Sequence, residues 1–235
     1  MTEPVISESL AAARQRLADA LQQAGRPLAD ARLLAVSKTK PAAMIREAWH
    51  LGQRDFGENY VQEALDKQDE LADLAGIVWH FIGPLQSNKT REVAERFAWV
   101  HSVDRVKSAR RLNDQRPEAL PPLQVCLQVN ISAEASKTGV SLDELPALAE
   151  AVLAMPRLRL RGLMAIPAPA EGLDAQRAPL ARLRQALEGL RERFPEAPLD
   201  TLSMGMSDDL EAAVLEGATL VRLGTAIFGA RQRHE

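Results

Sequence analysis

The chain has 235 residues, of which 46% are hydrophobic, and a formal net charge of −3. That apolar content is enough for one large core, and mixed charges without a basic stripe argue against a nucleic-acid partner. The single cysteine, Cys126, excludes an internal disulfide and a cysteine-based zinc site, and its apolar surroundings predict a buried thiol. With neither a signal peptide nor a membrane-spanning run in view, we expect a cytoplasmic protein without a membrane partner.

Apolar residues at helical spacing predict a lead-in helix over 6–25, with Ser7 or Ser9 as its N-cap and Gly25 after its end. Downstream, short apolar segments alternate with helical patterns. Strands are predicted over 33–39, 54–60, 77–83, 99–103, 123–129, 158–166, 201–206 and 219–224. Helices are predicted over 41–50, 61–74, 88–97, 105–112, 142–153, 174–194 and 208–215.

This alternation indicates parallel strands joined by crossover helices, and eight strands in about 200 residues predict a small (β/α)8 TIM-like barrel. An open doubly wound sheet is the competing fold. It needs fewer strands and usually has a glycine-rich turn after its first strand, where this chain has Lys-Thr-Lys-Pro. We expect a single domain over 1–235, with a lead-in segment over 1–28 and the barrel over 33–229.

Functional side chains of such barrels collect at the carboxyl ends of the strands. The first predicted strand reaches its end at Lys38, and the second reaches Asn59, while Met164 lies on the sixth. A lysine held in a pocket there is a nucleophile toward carbonyl groups, although a solvated lysine at the strand end is the alternative interpretation.

The ends of strands seven and eight carry Ser207, Gly224 and Thr225, and the loops at these two places often bind phosphate. Asp208 and Asp209 follow in the first turn of the next predicted helix, where they repel a phosphate. We therefore expect a phosphate to depend mainly on Gly224 and Thr225, with Ser207 contributing its side chain. The alternative is helix capping by Ser207 and a tight turn at Gly224.

An amine on strand one and a phosphate site at strands seven and eight suit a phosphorylated carbonyl compound. Pyridoxal 5'-phosphate (PLP) fits, with its aldehyde on Lys38. Arg222 shares a strand face with Gly224, and a guanidinium against the pyridine nitrogen makes the ring a weaker electron sink. The alternative for Arg222 is a salt bridge with Glu216 or Asp209.

Three further residues are weaker candidates. His80 lies among aromatic residues in a strand, where a hydrogen-bonded core or rim histidine is a more frequent interpretation than a catalytic one. Lys89 and Lys137 lie in loops rich in small polar residues. Such loops are either solvated or in contact with a ligand or partner at the barrel rim.

Six motifs between residues 35 and 229 resemble those of the pyridoxal phosphate homeostasis protein family. They are Ala-Val-Ser-Lys-Thr-Lys-Pro, Phe-Gly-Glu-Asn-Tyr-Val-Gln-Glu, Trp-His-Phe-Ile-Gly-Pro-Leu-Gln-Ser-Asn-Lys, Asn-Ile-Ser-Ala-Glu-Ala-Ser-Lys-Thr-Gly, Leu-Ser-Met-Gly-Met-Ser-Asp-Asp and Val-Arg-Leu-Gly-Thr-Ala-Ile-Phe-Gly. The resemblance implies a fold-type-III barrel similar to the N-terminal domain of alanine racemase, with PLP as an internal aldimine on Lys38. It implies these further roles by motif position: Asn59 and Met164 along the cofactor, Arg222 at the ring nitrogen, and Ser207, Gly224 and Thr225 at the phosphate.

The family resemblance also implies a carrier or regulator that keeps free PLP low and supplies it to PLP-requiring apo-enzymes, with indirect effects on amino-acid and keto-acid balance. We expect a monomer without substantial catalytic activity, in which Lys89 or Lys137 could hold the aldehyde during transfer. One alternative is a weak amino-acid racemase. Racemases of the alanine type need a second base, a tyrosine from a further domain, and Tyr60 is the only tyrosine here. Another alternative is a cofactor-free Schiff-base aldolase, which would be colourless.

Overall fold

The computed structural model describes residues 3–132 and 138–230. Eight parallel strands close into a barrel in chain order, and β1 pairs with β8 to complete the ring. The strands are β1 (Arg32–Val36), β2 (Asp55–Glu58), β3 (Val78–Phe81), β4 (Trp99–Val103), β5 (Leu123–Gln128), β6 (Leu158–Met164), β7 (Thr201–Ser203) and β8 (Leu220–Leu223). The predicted (β/α)8 barrel is confirmed, and the open sheet is excluded because no edge of the barrel is unpaired.

Helices surround the barrel, and short 3₁₀ turns at Leu28–Asp30 and Ser87–Lys89 supplement them. The helices are α1 (Ile6–Gln23), α2 (Ala42–His50), α3 (Val61–Glu70), α4 (Thr90–Arg96), α5 (Val106–Gln115), α6 (Leu145–Leu153), α7 (Leu173–Arg193), α8 (Leu210–Leu215) and α9 (Thr225–Phe228). Within the described residues, none of these helices is long and apolar enough to cross a membrane.

Several strands end earlier than their apolar patterns predict. The apolar pattern predicts a seventh strand that reaches residue 206, but β7 ends at Ser203, although Met204 is fully buried. The chain bends at Gly205, whose φ of 104° is in the left-handed region that favours glycine. A Cβ at Gly205 would also lie 2.7 Å from the Cβ of Ala213. Burial therefore continues past the strand, which is why the pattern overestimates its length.

Two predicted helix caps are wrong. The first helix begins after Val5 without a side-chain cap, and the Ser9 hydroxyl instead donates to the carbonyl of Ile227, 2.6 Å away. Likewise, α8 begins at Leu210, so Ser207 does not cap it. Serine prefers helix N-caps. At Ser9, a contact with a distant part of the chain overrides that preference, and at Ser207 the geometry of the loop before α8 does so.

The core has two parts. Most buried apolar residues lie between the strands and the surrounding helices, where they form one continuous cluster. A small second cluster contains Trp99, Cys126, Met164 and Leu220, each from a different strand, and it fills part of the barrel interior. Cys126 is buried as predicted, and burial raises the pKa of its thiol to about 12.

Candidate functional site

A cavity of about 1000 Å³ lies at the carboxyl ends of the strands. Every residue predicted for the cofactor site lines it. These residues are Lys38, Asn59, Met164, Ser207, Arg222, Gly224 and Thr225. The structure thus brings together residues that lie on or just after β1, β2, β6, β7 and β8, while their individual contacts with a cofactor stay predictions.

Lys38 lies in the turn that follows β1, and its side chain is partly buried. Within the described part of the chain, its amine has no hydrogen bond or ion pair. Lys40, two residues further on, does not line the cavity, and its amine donates to the carbonyl of Ala230 at 2.7 Å. Lys38 is therefore available to a ligand in the cavity, and its neighbour is not.

The turn that carries Lys38 is held on both sides by α3. The residue after it, Thr39, has a φ of 66°, a conformation that costs a non-glycine residue about 1–2 kcal/mol. Its N–H donates to Glu63 Oε1 at 2.5 Å. The residue before Lys38, Ser37, accepts a hydrogen bond at its backbone carbonyl from Lys67 Nζ, 2.7 Å away. These contacts stabilise a strained turn and fix where the Lys38 side chain begins.

Lys67 is itself the centre of a buried ion cluster. Its amine lies 2.7 Å from Glu58 Oε1 and 2.8 Å from Glu63 Oε1. Glu58 is fully buried, and its Oε2 has no hydrogen-bond partner in the described residues. Burial raises the pKa of Glu58, whereas Lys67 acts to lower it. The charge of Lys67 therefore offsets part of the cost of burying Glu58, whose pKa nevertheless remains raised.

Arg222 projects from β8, and its residue surface is 5% exposed. Its Nη1 donates to the Ser203 carbonyl at 3.1 Å and to Ser203 Oγ at 2.9 Å, while Nη2 donates to the Ala165 carbonyl at 3.0 Å. Burial lowers the pKa of Arg222 to about 10, so it remains charged at neutral pH.

The alternative prediction of a salt bridge from Arg222 to Glu216 or Asp209 is wrong. Glu216 pairs instead with Arg177 and Arg184 of α7, at 2.9 Å and 3.1 Å. Asp209 Oδ1 accepts the Met206 N–H at 2.8 Å. Among the described residues, the guanidinium of Arg222 is thus held by neutral acceptors and has no carboxylate bound to it, although the charge of Asp209 acts to raise its pKa.

The two loops predicted to hold phosphate lie next to each other because β7, β8 and β1 are neighbours. Thr225 begins α9 and is exposed. At Gly224, a Cβ would lie 3.2 Å from the Val36 carbonyl oxygen, so a larger residue would crowd the end of β1. Asp208 and Asp209 line the cavity but precede α8, whereas the sequence pattern predicts them in its first turn.

The lead-in helix braces this region. Arg16 of α1 donates to the Ser207 carbonyl at 2.6 Å and forms a two-pronged salt bridge with Glu211, at 2.9 Å for each bond. Sequence reasoning missed Arg16, since an arginine among other polar residues of an amphipathic helix resembles a solvated side chain. Only the structure shows that Arg16 holds the Ser207 loop, through its contacts with the Ser207 carbonyl and with Glu211 of α8.

Asn59 provides a test of whether a cofactor fits. Its Oδ1 is buried and has no hydrogen-bond partner in the described residues, yet the residue lines the cavity. Buried amide oxygens are rarely left without a donor. Together with a lysine amine, a guanidinium and two hydroxyls, this acceptor makes the cavity suited to a small polar ligand that has carbonyl, ring and phosphate groups.

The weaker candidates lie elsewhere. His80 is fully buried in the barrel and does not line the cavity; its ring contacts Asp55 and His101, as expected of a core histidine. Lys89 lies in the 3₁₀ turn before α4, partly exposed and outside the cavity lining. Lys137 lies outside the described residues.

Comparison with known proteins agrees with this geometry. The family model described as "Alanine racemase, N-terminal domain" matches residues 9–232, which defines the chain as a barrel of that class. A Pseudomonas aeruginosa protein named "Pyridoxal phosphate homeostasis protein" is 64% identical over 226 residues, covering 96% of this chain and 96% of the relative. A protein of the same name from Escherichia coli K12 is 56% identical over 228 residues, covering 96% and 97%.

The structure of PipY from Synechococcus elongatus with PLP bound is 41% identical to this chain, with a TM-score of 0.85. The match covers 95% of this chain and 100% of that one. The chain belongs to the pyridoxal phosphate homeostasis protein family, which confirms the resemblance drawn from its six motifs.

We predict that Lys67→Met destabilises the protein by about 3–5 kcal/mol, because it leaves the buried Glu58 without its counter-charge. The measurement is the free energy of unfolding in guanidinium chloride. Lys107→Met is the matched control, since Lys107 is exposed on α5. The double variant Lys67→Met/Glu58→Gln should recover part of the loss. If Lys67→Met and Lys107→Met lowered the free energy of unfolding equally, that result would contradict the assigned role of Lys67.

Proposed function

We propose that this protein binds PLP in the cavity at the carboxyl end of its barrel and serves intracellular PLP homeostasis as a carrier and regulator of the free cofactor. The observation that carries the proposal is the convergence on one cavity of the Lys38 amine, which has no partner among the described residues, the buried Arg222 and two hydroxyl side chains, Ser207 and Thr225. The names of the close relatives and the PLP-bound structure of PipY support the same ligand.

Different residues bind different parts of the ligand. Lys38 supplies the amine that binds the aldehyde carbon covalently. Arg222 holds the ring nitrogen, since a guanidinium has more N–H groups than its three protein acceptors use. Ser207, Gly224 and Thr225 hold the phosphate, and Asn59 and Met164 lie along the ring. When bound, PLP supplies an electrophilic aldehyde and an electron-withdrawing ring.

A carrier role suits the described site better than racemisation. Racemisation needs two acid–base groups on opposite faces of the substrate carbon. Tyr60, the only tyrosine, has 48% of its surface exposed and does not line the cavity. We propose that the protein acts in the cytoplasm as a monomer without substantial catalytic activity, and that PLP-requiring apo-enzymes receive the cofactor from it.

The covalent attachment can be tested with Lys38→Ala. After incubation with PLP, the wild-type protein should be yellow, and borohydride should fix the cofactor to a Lys38 peptide detectable by mass spectrometry. Lys38→Ala should lose both signals, because no other described residue in the cavity lining carries an amine side chain. Lys40→Ala is the matched control and should keep them. A wild-type spectrum that stays featureless after PLP is added would favour the cofactor-free aldolase alternative.

The phosphate contacts can be tested by comparing two ligands. The double variant Ser207→Ala/Thr225→Val should weaken PLP binding by about tenfold or more, because hydrogen bonds to a charged group contribute about 1.5–3 kcal/mol. Binding of pyridoxal, which has no phosphate, should be unchanged. Titration followed by absorbance gives both dissociation constants. An equal loss for the two ligands would show that these hydroxyls do not contact the phosphate.

Racemisation can be tested with L-alanine and the PLP-loaded protein. We expect at most trace conversion to D-alanine, because a missing acid–base group typically costs 10²–10⁴-fold in rate. Chiral chromatography measures the product. Sustained turnover that disappears in Lys38→Ala would establish a racemase and contradict the carrier proposal.

A further inference from the structure

A chain of hydrogen-bonded side chains runs through the barrel interior from Arg222 to Asp55. Arg222 Nη1 lies 2.9 Å from Ser203 Oγ, which lies 2.7 Å from His101 Nδ1. His101 Nε2 lies 2.9 Å from His80 Nδ1, and His80 Nε2 lies 2.8 Å from Asp55 Oδ1. We call these five residues the Asp55–Arg222 relay.

With both histidine rings neutral, the two ends of the relay fix the direction of every hydrogen bond in it. A guanidinium only donates, and an ionised carboxylate only accepts. His80 therefore donates from Nε2 to Asp55 and accepts at Nδ1 from His101 Nε2–H. His101 accepts at Nδ1 from the Ser203 hydroxyl, whose oxygen accepts from Arg222. Both histidines are then neutral Nε2–H tautomers, and every polar atom between the ends has a partner.

The charge states agree with this direction. Burial lowers the pKa of His80 and holds that of His101 well below its usual value, so neither ring is charged at neutral pH. Burial is the largest influence on Asp55 and acts to raise its pKa, but the hydrogen bond from His80 and the Coulombic attraction of His80 and Arg32 together outweigh it, and the carboxyl pKa is lowered. Arg32, 3.8 Å from Asp55, adds a positive charge at the same end.

The relay joins the two ends of the barrel. Asp55 is the first residue of β2, at the end opposite the functional cavity, and 14% of its side chain is exposed. His80, His101 and Ser203 are fully buried and do not line that cavity, whereas Arg222 does. The middle of the relay therefore cannot touch a ligand, and any influence on one passes through Arg222.

A barrel interior is ordinarily filled with branched apolar side chains. Burying two histidines and a serine there costs free energy unless each polar group has a hydrogen-bond partner. In this protein each of them is hydrogen-bonded to the next along one chain. Successive hydrogen bonds in one direction polarise one another, which strengthens Ser203 Oγ as an acceptor for Arg222. Among the described residues no carboxylate is hydrogen-bonded to the guanidinium, and Asp209 acts on it only through its charge. Asp55 is therefore the anion that its hydrogen-bond chain reaches.

We propose that Asp55 is a positioning residue for the ligand ring. Acting through His80, His101 and Ser203, it fixes how Ser203 Oγ faces Arg222, and thereby which guanidinium N–H groups remain for the ring nitrogen. This inference rests on the proposed function, because it takes the ring of PLP as the ligand of Arg222.

The test compares Asp55→Ala with Asp200→Ala. Asp200 lies at the same end of the barrel, just before β7, but pairs with Arg161 at 3.0 Å and 2.8 Å and lies outside the relay. Asp55→Ala should weaken PLP binding by about three- to tenfold, because the hydrogen bond from Arg222 to the ring nitrogen would lose part of its strength. It should also shift the absorbance band of the bound cofactor. Asp200→Ala should match the wild type in both measurements.

A second measurement uses the wild-type protein and does not depend on a variant that folds. Nitrogen NMR of labelled histidines should show His80 and His101 as neutral Nε2–H tautomers in the cofactor-free protein, and the His101 resonances should move when PLP is added. An Nδ1–H tautomer at either ring would overturn the relay. So would His101 resonances that PLP leaves unchanged, or equal affinities in a folded Asp55→Ala and the wild type.

These outcomes separate the two proposals. If the wild-type protein binds PLP and Asp55→Ala binds it equally well, the positioning role of Asp55 is overturned and the proposed function stays intact. A wild-type protein that does not bind PLP overturns the proposed function and the role of Asp55 toward its ring, while the tautomers of the cofactor-free protein still decide the direction of the relay.

Discussion

The pairing of β1 with β8 is the contact on which the site depends. In its parallel register, Leu34 lies opposite Arg222 and Ala35 opposite Leu223. The turn after β1 therefore emerges beside the loop after β8, although these segments lie near opposite ends of the sequence. Without this closure, an amine from the first strand and the phosphate loops of the last two would not share a cavity.

Around that closure, buried charges are balanced in two different ways. Lys67 is paired directly with carboxylates next to the Lys38 turn, so its electrostatic partners are in contact. Arg222 is held by carbonyls and a hydroxyl, and its nearest anion in the hydrogen-bond chain is at the other end of the barrel. The first arrangement is local and fixes a backbone turn; the second leaves a cation free to bind a ligand.

The sequence predicts the barrel because alternating strand and helix patterns are local, and it locates the cavity because parallel strands direct their carboxyl ends to one side. It does not reveal partners that only the closed barrel brings together. Ser9 contacts Ile227 rather than capping α1, and His80 reaches His101 on the neighbouring strand. The alternative interpretation of Arg222, a salt bridge with Glu216 or Asp209, is wrong for the same reason, since Glu216 is already held by two arginines of α7.

The attachment of α1 to the end of the barrel has a consequence for the order of folding. Arg16 and Ser9 bind Ser207 and Ile227, which are among the last residues of the barrel to be synthesised. Domains with contacts between such distant segments fold more slowly, because a long loop must close first. During translation, α1 leaves the ribosome before every strand of the barrel, but these two contacts form only after the seventh and eighth strands have followed. The part of its apolar face that packs against α8 and α9 stays unburied until then.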